Sequence, residues 1–182
     1  MAPFYTAAGD TGETSYLGAG GISKSSLRIE AVGSVDEANA AIGLARALSE
    51  SEQTRTILFN VQQHLYLLMT ELSASPDVAD KFDKLDNGHL QWLEAQIDDL
   101  EAAVEMPKVF IIPGSSPASG ALDLARTIVR RAERRTVAML EEKQILKQLL
   151  AAYLNRLSSL LFVLELYESS NFGHQIQLTK EA

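Results

Sequence analysis

Apolar residues recur at alternating spacings of three and four over most of the chain, which is the pattern of amphipathic helices. Five segments carry such apolar stripes, at residues 35–45, 61–72, 90–104, 118–139 and 146–167. The last segment is the richest in leucine and should form the most buried helix. Because no segment shows a convincing strand ladder, the pattern predicts an all-α fold, an antiparallel five-helix bundle in a single domain over residues 1–182.

Capping residues mark several of the helix starts. Ser34 and Glu37 have the spacing of a capping box, so we expect the first helix to begin there or earlier, near Leu27. Ser51 precedes the second helix, and the pair Ser116–Pro117 is typical of the first residues of a helix, here the fourth.

Three segments lack helical periodicity. Residues 1–24 contain five glycines and predict an irregular, glycine-rich N-terminal loop. Prolines within residues 107–117 indicate a loop that crosses the bundle. The last segment, residues 170–182, is largely polar and is expected to be a mobile tail.

Composition narrows the classes of function. Lys and Arg number 16 against 24 Asp and Glu, and the resulting net charge of −8 disfavours nonspecific binding to nucleic acid or anionic membranes. There is no cysteine, and the three histidines are scattered, so we expect no metal site built from dedicated protein ligands. No apolar run approaches the roughly 18 residues of a membrane span, and no signal-peptide pattern opens the chain. We therefore expect a soluble cytoplasmic protein.

The segment ARTIVRRAERR at residues 125–135 places Arg126, Arg130 and Arg134 on one helical stripe. Like charges in this arrangement repel unless anions face them, and guanidinium groups suit phosphate oxygens. The anion is either a ligand such as a triphosphate or a set of acidic side chains on another helix, and the residues alone leave both open. Glu133 either orients a ligand or belongs to the ordinary helix surface.

Polar residues interrupt the leucine-rich last helix at Asn155, Arg156, Ser158 and Ser159. Buried polar groups need partners, which here are a ligand, another subunit or an internal network between helices.

The N-terminal loop contains GDTGET at residues 9–14, with Lys24 downstream. Glycines allow backbone N–H groups to converge on an anion, and Lys24 offers a charge. The spacing is not that of a P-loop, so a flexible terminus is the alternative interpretation.

Taken together, these segments resemble the PduO-type ATP:cob(I)alamin adenosyltransferase family. The matching segments span nearly the whole chain and are YTAAGDTGET at 5–14, Lys24, RIEAVGSVDEANAAIG at 28–43, FIIPG at 110–114, ARTIVRRAERR at 125–135 and YLNRLSSLLFVL at 153–164. The resemblance implies a five-helix bundle that forms homotrimers, with active sites between adjacent subunits.

The resemblance also implies which residues bind ATP. They are Thr6, Gly9, Asp10, Gly12, Thr14, Ser15, Lys24, Arg28, Arg130, Glu133, Arg134 and Asn155. Lys24 and Arg130 would act as catalytic residues by stabilising the leaving triphosphate, together with Mg²⁺ held through the ATP phosphates.

The implied cobalamin-binding residues are Asp36, Phe110, Arg126 and Ser159. Phe110 would act catalytically by excluding the lower axial ligand of cobalt, which eases reduction of Co(II) to Co(I). Asp36 and Arg126 would form a salt bridge across the subunit interface. The chain departs from the family pattern at Gly21, Ser115, Asp123 and Ser159, where arginine, glycine, histidine and aspartate are common. The last two departures suggest an altered corrinoid affinity or preference.

The implied reaction is attack of cob(I)alamin on the ribose 5′ carbon of ATP, which forms adenosylcobalamin and releases triphosphate. Because the corrinoid is the nucleophile, the protein needs no catalytic Ser, Cys or His. The alternatives are a non-catalytic module that binds ATP or adenosylcobalamin and a purely structural bundle. Expected partners are the small-molecule substrates and a corrinoid reductase or a cobalamin-dependent acceptor enzyme, but neither nucleic acid nor a membrane.

Overall fold

The computed structural model describes residues 7, 9–18 and 20–179, so Thr6, predicted to bind ATP, lies outside the described residues. Within them the helices are α1 (Leu27–Leu48), α2 (Glu52–Ser73), α3 (Ala79–Phe82), α4 (Asn87–Glu101), α5 (Pro117–Glu141) and α6 (Leu149–Asn171). The strands are β1 (Glu13–Ser15), β2 (Gly21–Ser23), β3 (Ile111–Ile112) and β4 (Gln177–Leu178). The predicted all-α five-helix bundle is confirmed, and α3 is one additional turn that the apolar pattern does not indicate.

Helix α5 lies at the centre of the packing. It contacts α1 on one side and α6 on the other, while α2 packs on α1 and α4 packs on α6. Buried alanines on both helices, Ala31 and Ala38 on α1 and Ala125 and Ala132 on α5, leave little side-chain volume to separate the two axes. The small residues of α5 therefore permit a close neighbour.

Capping chemistry determines where the helices begin. Ser51 caps α2 and Ser116 caps α5, each by accepting a hydrogen bond from the backbone N–H three residues later. Ser34 instead lies inside α1, where its hydroxyl donates to the carbonyl four residues earlier. Helix α1 begins at Leu27 after the cap Ser26, so the capping box predicted at Ser34 is wrong and the earlier start is confirmed.

Helix α6 is the most buried helix, as predicted, and its apolar side chains form much of the core. In the described part of the chain it is also the one helix long and apolar enough to cross a membrane, a possibility that the sequence analysis did not register. Of its most apolar window, 61% is buried inside the bundle, as in the core helix of a globular domain. It begins at Leu149, so Leu146, expected on its apolar face, is 83% exposed in the preceding loop.

An aromatic and polar junction joins α2, α4 and α6. Nδ1 of His64 is hydrogen-bonded to the hydroxyl of Tyr153 at 3.0 Å, and its ring contacts His89 and Trp92 edge-on. Burial and the neighbouring His89 lower the pKa of His64 to about 4, so its imidazole is neutral at pH 7. Among the described residues, no three His, Asp or Glu side chains are grouped as metal ligands.

Two short strand pairings were not predicted. β1 and β2 form an antiparallel hairpin in the N-terminal loop, and β3, between α4 and α5, pairs with β4 near the end of the chain. Thr179 extends this pairing, since its N–H donates to the carbonyl of Phe110 at 2.8 Å. The segment expected to be a mobile tail therefore contains, up to residue 179, the end of α6 and the paired strand β4. This strand forms hydrogen bonds with backbone groups of the crossing loop.

Arg28, which the resemblance places among the ATP ligands, has a structural role in this fold. The residue is 5% exposed, and its guanidinium group donates to the carbonyls of Leu72, Ala74 and Gln144 at 2.6–2.8 Å. Burial lowers the pKa of Arg28, although an arginine remains charged at neutral pH. Its donors thus join α1 to the end of α2 and to the α5–α6 loop, and the contact of Arg28 with ATP stays a prediction.

We expect Arg28→Gln to lower the free energy of unfolding by about 3 kcal/mol, because three carbonyls lose a charged donor. Urea denaturation followed by circular dichroism measures this loss. Arg55→Gln is the matched control, since Arg55 binds carbonyls at an exposed helix start and should cost less than about 1 kcal/mol. Wild-type stability combined with weakened ATP binding in Arg28→Gln would instead support the predicted contact with ATP.

Candidate active site

The arginines of α5 differ in what faces them. Two of them pair with α1, Arg131 with Glu37 and Arg135 with Glu30. Arg130 and Arg134 are exposed on the other side of α5, and no ion pair to either is present among the described residues. The arginines that pair with α1 thus lie outside the stripe of Arg126, Arg130 and Arg134, and Arg130 and Arg134 retain positive charge that can attract an anion.

Arg130 and Arg134 line a shallow cavity of about 290 Å³ together with Glu133 and Asn155. Nδ2 of Asn155 on α6 donates to Oε1 of Glu133 on α5 at 3.0 Å, and Nη1 of Arg156 donates to Oδ1 of Asn155 at 3.0 Å. These hydrogen bonds fix the amide and the carboxylate across the seam between the two helices. Four of the predicted ATP ligands are thus brought together, with two guanidinium groups accessible to phosphate oxygens.

Apart from Arg28 on α1, the other described residues that were predicted to bind ATP lie in the β1–β2 hairpin and the residues beside it. Nζ of Lys24 donates to the carbonyl of Gly9 at 2.6 Å, and its backbone N–H donates to the carbonyl of Gly12 at 2.9 Å. Gly12 has a φ of +88°, a backbone conformation that favours glycine, whereas a Cβ atom at Gly9 would meet the flexible end of the Lys24 side chain at 2.9 Å. The remaining predicted ligands here are exposed Asp10 and Ser15 and half-buried Thr14.

The hairpin is attached to the end of α2. The N–H of Leu17 donates to the carbonyl of Ser73, and its carbonyl accepts from the N–H of Ser75. Between the described hairpin residues and Arg130 or Arg134 there is no hydrogen bond or ion pair, and no hairpin residue lines the arginine cavity. The two halves of the predicted ATP site are therefore separate within one chain.

Three cavities follow one another along the seam between α5 and α6 and share lining residues, and together they are here named the α5–α6 groove. Arg130 lines both the arginine cavity and a second cavity of about 290 Å³, in which exposed Ser159 also lies. Arg126 and Phe162 line this second cavity and also the largest one, of about 910 Å³. The predicted nucleotide and corrinoid residues of α5 and α6 thus follow one another along a single groove.

Phe110 lies at the wide end of this groove. The residue is 85% exposed and lines the largest cavity with Phe162 and Lys108. Its carbonyl accepts from both the N–H and the hydroxyl of Thr179, which fixes the backbone beneath the exposed ring. A large apolar ring exposed on a fixed backbone indicates a site for an apolar face of a ligand.

Arg126 is bound within its own helix. Its Nε and Nη2 atoms each lie 2.7 Å from Oδ1 of Asp123. Asp36 is exposed on α1, and no ion pair joins it to Arg126 within the described chain. The predicted salt bridge between Asp36 and Arg126 is thus not formed inside one chain, and as a contact between subunits it stays a prediction.

Two residues of the groove were missed by the sequence analysis. Phe162 lies seven residues after Asn155 and three after Ser159, so helical periodicity places all three on one stripe of α6 and could have identified it. Thr179 reaches Phe110 only because β4 pairs with β3, and no local pattern indicates that pairing.

Several known proteins are similar to this chain in sequence. The profile of the family described as cobalamin adenosyltransferase matches residues 4–168. Corrinoid adenosyltransferase PduO of Salmonella typhimurium is 39% identical over 178 residues, which cover 97% of this chain and 52% of the relative. The corrinoid adenosyltransferase of Bacillus subtilis is 40% identical over 162 residues, covering 87% of this chain and 82% of that protein. The chain spans about half the length of the PduO proteins of Salmonella and Citrobacter freundii.

Solved structures of a PduO-type ATP:corrinoid adenosyltransferase from Lactobacillus reuteri have the same fold. A variant complexed with cobalamin and ATP has a TM-score of 0.88 at 31% identity, covering 98% of this chain and 100% of that one. Another variant, complexed with ATP, has a TM-score of 0.86 at 32% identity, covering 97% and 100%. The resemblance of the sequence segments is confirmed, and this chain belongs to the cobalamin adenosyltransferase family.

Proposed function

We propose that this protein transfers the 5′-deoxyadenosyl group of ATP to the cobalt of cob(I)alamin, forming adenosylcobalamin and releasing triphosphate. The observation that carries the proposal is the α5–α6 groove, which connects Arg130 and Arg134 to the cavity of Phe110. An anionic leaving group and a broad apolar ligand would lie beside each other in this groove. Holding two substrates in line is the main task of a protein in such a reaction.

The narrow end of the groove suits the triphosphate. Negative charge develops on the triphosphate as the bond between C5′ and oxygen breaks, and guanidinium groups at fixed positions stabilise it. Arg130 and Arg134 would supply that charge, and Lys24, on leaving the carbonyl of Gly9, would add a third. Mg²⁺ held by the phosphates would neutralise further charge. The hydrogen bond between Asn155 and Glu133 would hold both side chains in position beside the nucleotide.

The wide end of the groove suits the corrinoid. The ring of Phe110 would contact the lower face of the corrin and exclude an axial ligand, so that cobalt accepts an electron more readily. Cob(I)alamin then supplies the electron pair of the new cobalt–carbon bond, and the pair of the broken C5′–oxygen bond leaves with the triphosphate. The protein therefore needs no nucleophile or acid–base group of its own.

A homotrimer would complete the site between subunits. Within one chain the hairpin of Lys24 is separate from Arg130, although ATP is expected to contact both. A neighbouring copy that places its hairpin against α5 would join the two halves. Asp36, exposed on α1, would then be available to Arg126 of that copy.

The proposed reaction also requires one protein that supplies its reduced substrate and another that uses its product. A corrinoid reductase must supply Co(I), and a cobalamin-dependent enzyme would accept the product. We place the reaction in the cytoplasm, where ATP and low-potential reductants are available.

Arg130→Ala should lower kcat/KM for ATP at least about 100-fold, because the developing charge of the triphosphate loses a donor at a fixed position. The assay incubates purified protein with MgATP and chemically reduced cob(I)alamin and follows light-sensitive adenosylcobalamin by absorbance. Arg135→Ala removes an arginine of the same helix that pairs with Glu30, and should change the rate by about twofold or less.

If the unsubstituted protein forms no adenosylcobalamin in that assay, the proposed activity is wrong. Saturable ATP binding without turnover would identify the non-catalytic binding module instead.

Phe110→Ala should slow turnover at least about tenfold when cobalt must be reduced on the protein, because water or another axial ligand gains access to the lower face. The dissociation constant of ATP should stay within about twofold, since Phe110 lies at the other end of the groove. Ile112→Ala, on the neighbouring strand and outside the cavity lining, is the control. Equal rates for Phe110→Ala and the unsubstituted protein from cob(II)alamin would contradict this role.

Asp36→Asn should raise KM for cobalamin several-fold and leave KM for ATP unchanged, because only the contact with Arg126 of a neighbouring subunit is lost. Light scattering should give three chain masses for the unsubstituted protein and a weaker assembly for the variant. Glu37→Gln, which changes the adjacent carboxylate that pairs with Arg131 inside the chain, is the control. A monomeric unsubstituted protein that is fully active would rule out the homotrimer.

A further inference from the structure

A buried carboxyl group lies behind the wide end of the α5–α6 groove. Glu165 of α6 is 2% exposed, and its Oε2 atom is buried with no hydrogen-bond partner among the described residues. An ionised carboxylate in this state lowers the stability of the fold, and protonation reduces that cost. Such a group is therefore retained most readily where it serves a function. Neither the nucleotide residues nor Phe110 account for it.

The register of α5 on α6 places Glu165 opposite Asp123. Asn155 and Glu133 are hydrogen-bonded across the seam, and the helices run antiparallel. Asp123 lies ten residues before Glu133 and Glu165 ten residues after Asn155, so equal rises along the two axes bring them to the same level. Phe162, one turn before Glu165, shares the largest cavity with Asp123.

The charges of these residues act on one another. Burial and, to a smaller extent, Asp123 raise the pKa of Glu165 and Arg126 opposes the shift, so that the pKa is raised to about 7. Arg126 is at the same time held by Asp123 through two of its nitrogens at 2.7 Å. The guanidinium group of Arg126 is therefore bound to one carboxyl group, Asp123, and acts electrostatically on a second, Glu165.

Several of the other charged and titratable groups on the elements around Glu165 are engaged elsewhere, while Asp98 and Asp99 of α4 are exposed and Glu101 lines the second cavity beside Arg126. On α6, Glu168 binds Ser49 and the start of α2. From α4, Glu94 pairs with Arg156, and from α2, His64 and Gln53 bind Tyr153 and Tyr167. Lys108, in the crossing loop, lines the same cavity. Within the described chain, Arg126 and Asp123 are thus the charged groups coupled to Glu165.

We propose that Glu165 is a positioning residue for the corrinoid half of the site, acting through the Asp123–Arg126 pair as it gains or loses a proton. The proposal rests on the proposed adenosyltransferase function. When Glu165 is protonated, Arg126 has one anionic neighbour and presents its remaining donors to the cavity. When Glu165 is ionised, Arg126 is drawn toward two carboxylates, and cobalamin binds less tightly.

The test is the dissociation constant of cob(II)alamin in saturating MgATP, measured by equilibrium dialysis at pH values from 6 to 8. For the unsubstituted protein the constant should rise roughly three- to fivefold over this range, the size of effect expected for a partly exposed charge pair. Glu165→Gln, which is isosteric and cannot ionise, should hold the low value of pH 6 at every pH. Glu52→Gln, at an exposed carboxylate on α2, should retain the pH dependence of the unsubstituted protein.

A second variant tests the route of the effect. Asp123→Asn releases Arg126 from its helix, so the pH dependence should shift to lower pH, because Glu165 loses the carboxylate that opposes its ionisation. The dissociation constant of ATP should have the same pH dependence in each of these variants as in the unsubstituted protein. This selective effect on cobalamin separates positioning from a general loss of structure.

A flat pH profile in the unsubstituted protein would overturn the proposal whether or not the variants fold. An unchanged pH profile in folded Glu165→Gln would overturn it as well. Both results are compatible with full adenosyltransferase activity, whereas absence of adenosylcobalamin formation by the unsubstituted protein contradicts the proposed function itself. The failures of the two proposals are therefore distinguishable.

Discussion

The antiparallel packing of α5 between α1 and α6 is the constraint on which the rest of the site depends. Buried alanines keep α5 close to α1, so acidic side chains of α1 reach two arginines and neutralise them. On the opposite side the seam with α6 opens into a groove, and Arg130 and Arg134 line it without an acidic partner among the described residues. A single helix thereby combines structural ion pairs on one face with charge available to a ligand on another.

Buried polar groups show where the fold needs partners and where it leaves a group unpaired. Arg28 satisfies three carbonyls at one end of the bundle, and His64 stays neutral while bound to Tyr153. Glu165 differs, because one of its oxygens is buried with no partner in the described part of the chain, beside a charged pair that lines the largest cavity. Such an unsatisfied group lowers stability and is retained most readily where it serves a site.

Local sequence patterns correctly predicted those features of the fold that depend on residues close together along the chain. The helical stripes and the caps Ser51 and Ser116 were correct because they depend on contacts within one or two turns. The capping box at Ser34 failed because its hydroxyl bonds back to its own helix, a geometry that the same residue types also allow. The role of Thr179 was missed because the whole of α5 and α6 separates it from Phe110 along the chain.

By itself the sequence determined the helical class, the family and the identity of the chemical groups, since apolar periodicity and the Arg and Asn segments can be read directly from neighbouring positions. Only the tertiary structure decided how these groups are used. It placed Arg28 against backbone carbonyls, bound Arg126 to Asp123, and left Arg130 facing a groove. The physical reason is that a charged group takes its role from the partners and solvent around it, and packing brings those partners from distant parts of the chain.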